Sequence, residues 1–62
     1  MITVYGERVR LDIYWALGQV MVKATDLVTG SYGLGTGDSE ESAKVKAKAN
    51  LIRANKSEGM VQ

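Results

Sequence analysis

Residues 33–52, GLGTGDSEESAKVKAKANLI, decide the fold of this chain. Glycines alternate at the end of a predicted strand, and a helix follows directly. Asp38 and Glu41, three residues apart, form a capping box, and Glu40 adds negative charge where the helix dipole is positive. The pattern therefore predicts a helix over about residues 39–56.

Two stripes of small and apolar residues run along this helix. The first predicts a close packing surface against a sheet and contains Ala43, Ala47, Leu51 and Ala54. The second falls on the opposite side by the helical period and contains Val45, Ala49 and Ile52. Gly59 is a plausible C-terminal stop, with a tail over residues 59–62. The second stripe is explained either by a tilted helix covered by that tail or by a dimer or partner surface.

Strand patterns fill the rest of the chain, at about residues 3–17, 19–28 and 31–36. Apolar and polar residues alternate in the first, which places Val9, Leu11, Ile13 and Trp15 opposite Arg8, Arg10, Asp12 and Tyr14. Gly6 predicts a bulge or a bend, and Leu17-Gly18 predicts a hairpin turn. We therefore expect one α+β domain over residues 1–62, a three-stranded antiparallel β-meander with one C-terminal α-helix packed on one face (βββα).

The composition excludes several kinds of chemistry. The 62 residues include no Cys and no His, and the formal net charge is +1. Disulfides, thiolate chemistry and the usual zinc sites are therefore excluded, and no serine or threonine has an evident paired base. We expect no enzyme activity, no cofactor, no metal and no small-molecule substrate.

The glycine run before the helix is not expected to bind nucleotides. Asp38, Glu40 and Glu41 place carboxylates where a phosphate would sit, and the P-loop lysine is missing. The carboxylate spacing also fails to match a calcium loop. We interpret the glycines as shaping a turn or as a strand that another backbone approaches closely.

The outward face of the sheet is a candidate nucleic-acid surface. Its basic and hydroxyl side chains are expected to lie together, and they are Arg8, Arg10, Tyr14, Lys23 and Thr25. Such groups on a small sheet can clamp phosphates or enter a DNA groove. The alternative is an ordinary solvated face, on which Glu7 and Asp12 offset the arginines.

The C-terminal third resembles a double-stranded-RNA-binding domain. The matching residues are Gly35, Gly37, Ser39, Ala43, Lys44, Ala47 and Leu51. The resemblance implies strands followed by a helix, with Lys44 as a phosphate contact. However, Glu40 and Glu41 replace the paired lysines of that family, its first helix is missing, and its groove-reading loop is reduced to a tight turn. We take the resemblance as architectural, and it favours DNA over double-stranded RNA.

One helix covers less of the sheet than the two helices of that family. Incomplete cover, together with the stripe of Val45, Ala49 and Ile52, predicts a homodimer or a protein partner. Trp15 and Tyr14 are candidate anchors, although the alternation places Trp15 inward.

We therefore expect a small non-enzymatic regulator that binds a macromolecule. It is similar in kind to phage- or plasmid-encoded inhibitors such as anti-CRISPR proteins, and nucleic-acid binding is the alternative. The start of the chain lacks the basic region of a signal peptide and no apolar run is long enough for a membrane span, so we expect a cytoplasmic protein without membrane contact.

Overall fold

The structure is a computed structural model that describes residues 1–60, with the backbone alone for residues 57–60. Over these residues the chain forms one antiparallel sheet with strand order β1-β2-β3-β4, followed by one helix. The elements are β1 (Ile2–Tyr5), β2 (Val9–Ala16), β3 (Gln19–Asp26), β4 (Tyr32–Gly37) and α1 (Glu40–Met60). The expected α+β fold, with an antiparallel sheet and a C-terminal helix, is confirmed.

The prediction of three strands is wrong, because the expected first strand is two strands. The chain reverses between Tyr5 and Val9, where the Gly6 amide donates a hydrogen bond to the Val9 carbonyl at 2.8 Å. Tyr5 then pairs with Arg10, and β1 runs back along β2. A bulge or a bend was expected at Gly6, and the structure has a full reversal of the chain there.

The predicted hairpin turn at Leu17-Gly18 is confirmed. Both residues have positive φ, 52° for Leu17 and 75° for Gly18. This is the backbone of a type I′ turn, which matches the twist of the flanking strands. Glycine adopts such a φ freely, whereas a leucine does so against the clash of its Cβ with the backbone.

The helix begins and ends differently from the prediction. Ser39 is the N-cap, because its Oγ accepts a hydrogen bond from the Ser42 amide at 3.2 Å. The cap is therefore Ser39 and not Asp38, the residue expected to cap the helix. The helix also continues to Met60, so Gly59 is not a stop. The tail was expected to pack onto the helix, but its side chains are not among those that the structure describes.

The alternating glycines of β4 form the surface on which the helix packs. A Cβ on Gly33 would overlap the Leu51 backbone nitrogen, and one on Gly35 would lie 2.5 Å from the Ala43 carbonyl oxygen. The glycines therefore allow close contact between backbones and do not shape a turn. The buried core combines both layers and consists of Ile13, Val20, Val22, Ala24, Ala43, Ala47 and Leu51.

This close contact decides the lateral position of the helix. α1 packs on β4 and β3, and among the described residues it makes no comparable contact with β1 or β2. The helix therefore leaves Ile2 and Val4 of β1 exposed on this face, whereas Ile13 of β2 is still buried. No helix in the described residues combines the length and the apolar character that crossing a membrane requires.

Candidate interaction surfaces

The tip of the β2–β3 hairpin carries a large apolar side chain fully in water. Leu17 is 102% exposed and has the positive φ of a turn residue. Asparagine, aspartate and glycine are the residues that this turn position favours. The leucine therefore contributes neither burial nor a relaxed backbone to the isolated chain.

A groove lies beside this tip, between the hairpin and the start of the helix. Its volume is about 550 Å³. The pairing register places Trp15 on the helix side of the sheet, as expected. Its side chain is nevertheless 47% exposed and is not buried there. The helix stands over the other two strands and leaves the indole uncovered. The groove is lined by Trp15, Ala16, Leu17, Gly18, Gln19, Val20, Asp38 and Glu40.

The far wall of the groove is acidic. Asp38 and Glu40 are exposed and stand at the N-terminal end of α1. Carboxylates at a helix N-terminus interact favourably with the helix dipole. The site thus combines an apolar floor with a negative rim. It favours a ligand with an apolar group next to a positive charge and repels phosphates.

The outer face of the sheet brings together four of the five residues expected there. The pairing register places Arg10 beside Thr25 and Tyr14 beside Met21, with Lys23 between them on β3. The Lys23 ammonium lies 4.8 Å from the centre of the Tyr32 ring. Exposed aromatic rings and cations are the groups that single-stranded nucleic acids contact.

Asp12 reduces the positive charge of this face. It is 5% exposed and accepts hydrogen bonds from Thr3 Oγ1 at 2.8 Å and from Arg10 Nε at 3.2 Å. The Thr3 hydroxyl, more than the nearby Arg10 charge, holds the pKa of Asp12 below its usual value. The Thr25 hydroxyl oxygen is buried and has no hydrogen-bond partner within the described residues. Arg10 and Thr25 are therefore less available to a ligand than the sequence indicates.

Arg8 does not lie on the outer face. It stands in the β1–β2 turn, and its Nε donates to Asp26 Oδ2 at 3.1 Å. Asp26 belongs to the helix side of the sheet, since Asn55 of α1 donates to the same oxygen at 3.1 Å. The expected grouping of Arg8 with Arg10 and Lys23 is wrong, because the buried carboxylate holds its guanidinium at the end of the sheet.

Asp26 connects three parts of the chain. Besides Arg8 and Asn55, the amides of Val28 and Thr29 donate to its Oδ1 at 2.8 and 3.1 Å. Burial by itself raises the pKa of this carboxyl. The hydrogen bonds from both amides, from Asn55 and from Arg8 outweigh burial and lower the pKa to about 2. We call this group the polar clasp, and it ties both loops at this end of the sheet to the helix.

Two apolar patches remain exposed on the helix side. The sheet strip consists of the exposed Ile2 and Val4 on β1 with Val9 and Leu11 beside them on β2, which are half-buried against the core, and the helix stripe consists of the exposed Val45, Ala49 and Ile52. The stripe faces away from the buried Ala43, Ala47 and Leu51, as expected from its spacing. Lys44 is half-buried on α1, so it does not join the basic residues of the outer face.

Sequence reasoning missed Leu17 as a functional candidate. The signal was present, because a leucine before glycine in a two-residue turn contradicts the residue preference of that turn. Within residues 1–56 the structure holds no cluster of acidic side chains suited to a metal ion. Comparison with protein-family models, curated proteins and solved structures finds no match for this chain. The resemblance to double-stranded-RNA-binding domains therefore stays a prediction.

Proposed function

We propose that this chain is a small non-enzymatic protein that binds another protein through the tip of its β2–β3 hairpin. Leu17 would insert into the partner, while Trp15 would hold a partner side chain in the groove. It would then be similar in kind to those phage- and plasmid-encoded inhibitors, such as anti-CRISPR proteins, that occupy a macromolecular surface without catalysis. The observation that carries the proposal is the fully exposed leucine at a positive φ.

The strain at Leu17 supports a role outside folding. A left-handed backbone costs an ordinary residue about 1–2 kcal/mol, and no burial of Leu17 offsets this cost. Backbone strain that the fold does not need is found most often at functional sites. A partner that buries the leucine would recover free energy only on binding.

The groove indicates the chemistry of the partner. Its volume of about 550 Å³ lies within the usual range for pockets that hold a small molecule, so it has room for a partner side chain. Tryptophan is among the residues that contribute most to protein interfaces. The acidic rim formed by Asp38 and Glu40 favours a partner segment with an apolar residue next to lysine or arginine.

Photo-crosslinking from the hairpin tip tests this function. A photo-crosslinking amino acid at position 17 is expected to give one discrete protein adduct in the native host cells. The matched control carries the same group at Val28, which is 73% exposed in the β3–β4 loop at the other end of the sheet. Leu17→Asn should abolish co-purification of the adduct partner, and Val28→Asn should leave it unchanged.

Two outcomes would overturn the proposal. One is an adduct pattern that is the same from positions 17 and 28, which would show contact with exposed apolar groups in general. The other is retention of the partner by Leu17→Asn. An adduct with nucleic acid alone would transfer the function to the second candidate.

The second candidate is nucleic-acid binding on the outer face, and the contact of Lys23 with Tyr32 favours it. This contact puts the ammonium of the half-buried Lys23 and the ring of the exposed Tyr32 together on one face of the sheet. Titration of single-stranded and duplex DNA over a salt series tests it, since phosphate contacts make affinity fall steeply with salt. Lys23→Ala and Arg10→Ala should weaken binding, whereas Arg8→Ala should not, because Arg8 lies at the polar clasp.

A further inference from the structure

We propose that two copies of this chain pair face to face, each placing its helix stripe on the sheet strip of the other. The result is a three-layer dimer, with the two helices side by side between two sheets. This pairing does not use Leu17, and its tests measure the mass of the assembly and not the capture of another protein, so its failure and the failure of the proposed function are distinguishable.

Both patches are too exposed for the isolated chain. Ile2 and Val4 are 52% and 44% exposed in the sheet strip, and Val45 and Ile52 are 64% and 55% exposed in the helix stripe. A foreign partner seated on one layer would cover one patch and leave the other in water. A second copy covers both patches of both chains with one symmetric contact.

The shape of the molecule fits this arrangement. The helix stands on β3 and β4, so the sheet strip lies beside it at the bottom of a step one helix high. A helix with its side chains is about 10–12 Å across. The element that fills the step must therefore be one layer thick, with an apolar side facing the strip. The helix of a second copy is such an element, related by a two-fold axis between the two helices.

The register aligns the lower parts of the two patches. Following the pairing register from β1 through β2 and β3 to β4 places Val4 and Gly33 at the same position along the strand direction. Gly33 lies against Leu51 of the helix, and Ile52 is its neighbour in the chain. Val4 and Ile52 therefore stand at the same height along the strands, on opposite halves of the molecule.

The upper parts align in the same way. Pairing places Ile2 on the level of Gly35, which lies against the helix between Ala43 and Ala47. Val45 belongs to this same stretch of helix. A two-fold axis parallel to the strands keeps every height unchanged. It therefore sets Val45 over the partner's Ile2, and Ile52 over the partner's Val4.

The area of the contact also favours a second copy. A stable interface buries about 800 Å² on each partner, which is about a fifth of the 4409 Å² that this chain exposes. The sheet strip spans two strands about 4.8 Å apart, with β1 about 13 Å long, so alone it is too small. Covering the strip and the stripe of each chain together gives a larger contact than covering the strip alone.

A charge exchange tests the predicted contact. Sedimentation equilibrium of the wild type over a concentration series should give the mass of a dimer. Val4→Glu and Ile52→Lys should each reduce it to a monomer. The double variant should recover the dimer, because each new acid meets the new base of the other chain. Leu34→Glu is the control, since Leu34 is equally exposed but lies on the outer face.

Disulfide trapping provides a second measurement that does not depend on charged variants folding. The chain has no natural cysteine. Val4→Cys combined with Ile52→Cys should oxidise to a covalent dimer, and each single variant should not form this cross-linked pair. A wild type that stays monomeric at high micromolar concentration overturns the proposal. So does a double charge variant that stays monomeric although folded, or a double cysteine variant that stays uncrosslinked.

Discussion

Gly35 of β4 lies directly beneath the first turns of the helix, and a Cβ on it would be 2.5 Å from the Ala43 carbonyl oxygen. Real Cβ contacts are not this short, so the sheet and the helix meet through a position that must have no side chain. The alternation of glycine in β4 and the alanine stripe of α1 are two halves of one packing surface. This surface, more than apolar area, decides where the helix lies.

Gly35→Ala is expected to destabilise the fold strongly. The new methyl group meets helix backbone, which cannot move aside as a flexible side chain would. Overpacking of this kind costs about 1–3 kcal/mol or more. Urea unfolding followed by circular dichroism measures the loss. Thr36→Ala, an exposed neighbour on the other face, should change the free energy of unfolding much less. Equal stability of both variants would contradict the close packing.

Leu17→Asn is expected to stabilise the isolated chain. Asparagine tolerates the positive φ of the turn, so relief of strain should add about 1 kcal/mol. For a domain of this size the midpoint of thermal unfolding should rise by about 4–8 °C. Leu27→Asn is the matched control, because Leu27 is also exposed but its φ is not positive. A fall in stability for Leu17→Asn would remove the argument from strain.

Ser39→Ala is expected to weaken the start of the helix. The Ser39 Oγ satisfies the Ser42 amide, and loss of an N-cap costs about 1 kcal/mol. Asp38→Ala should cost less, since Asp38 precedes the cap. Thermal unfolding of both variants ranks the two positions. A larger loss for Asp38→Ala would restore the capping box expected from the sequence.

The pKa of Asp26 predicts how stability depends on pH. Its folded pKa of about 2 lies below the ordinary 3.8, so the unfolded chain binds the proton first as pH falls. The contribution of Asp26 is therefore complete above about pH 4 and is lost between about pH 4 and pH 2. Urea midpoints measured across this range should decline for the wild type.

Asp26→Asn isolates this contribution. The variant should be less stable than the wild type at neutral pH, since the amide cannot accept from Arg8, Asn55 and two backbone amides as a carboxylate does. It should also lose much of the decline in acid. Asp38→Asn, at an exposed aspartate, should keep the decline. An unchanged acid profile in Asp26→Asn would show that other carboxylates control it.

The sequence predicts which face of each strand is apolar, because the period of two needs only local information. Val9, Leu11, Ile13 and Trp15 do share the helix side of the sheet, and Ala43, Ala47 and Leu51 do pack against it. The division of the first strand was not predictable in the same way. The alternation continues through the β1–β2 turn closely enough that Gly6 fits either a bulge or a reversal.

The position of the helix and the details of the candidate site were harder to predict. Periodicity identifies a buried face but does not say which strands it covers. The glycines of β4 contain that information, since a helix can approach most closely where side chains are absent. Arg8 was misplaced because Asp26, 18 residues away, is its partner. Such a long-range ion pair leaves no local pattern in the sequence.

The polar clasp at Asp26 and the leucine at the hairpin tip lie at opposite ends of the sheet, separated by the length of β2, about 26 Å. Four groups donate hydrogen bonds to Asp26 and hold its end of the sheet together. The Leu17 side chain, at the other end, is fully exposed and contributes no packing to the fold. Mutations at the tip can therefore accumulate without unfolding the protein. On the proposed function, related chains could therefore exchange one target for another at the tip and keep the other end of the sheet unaltered.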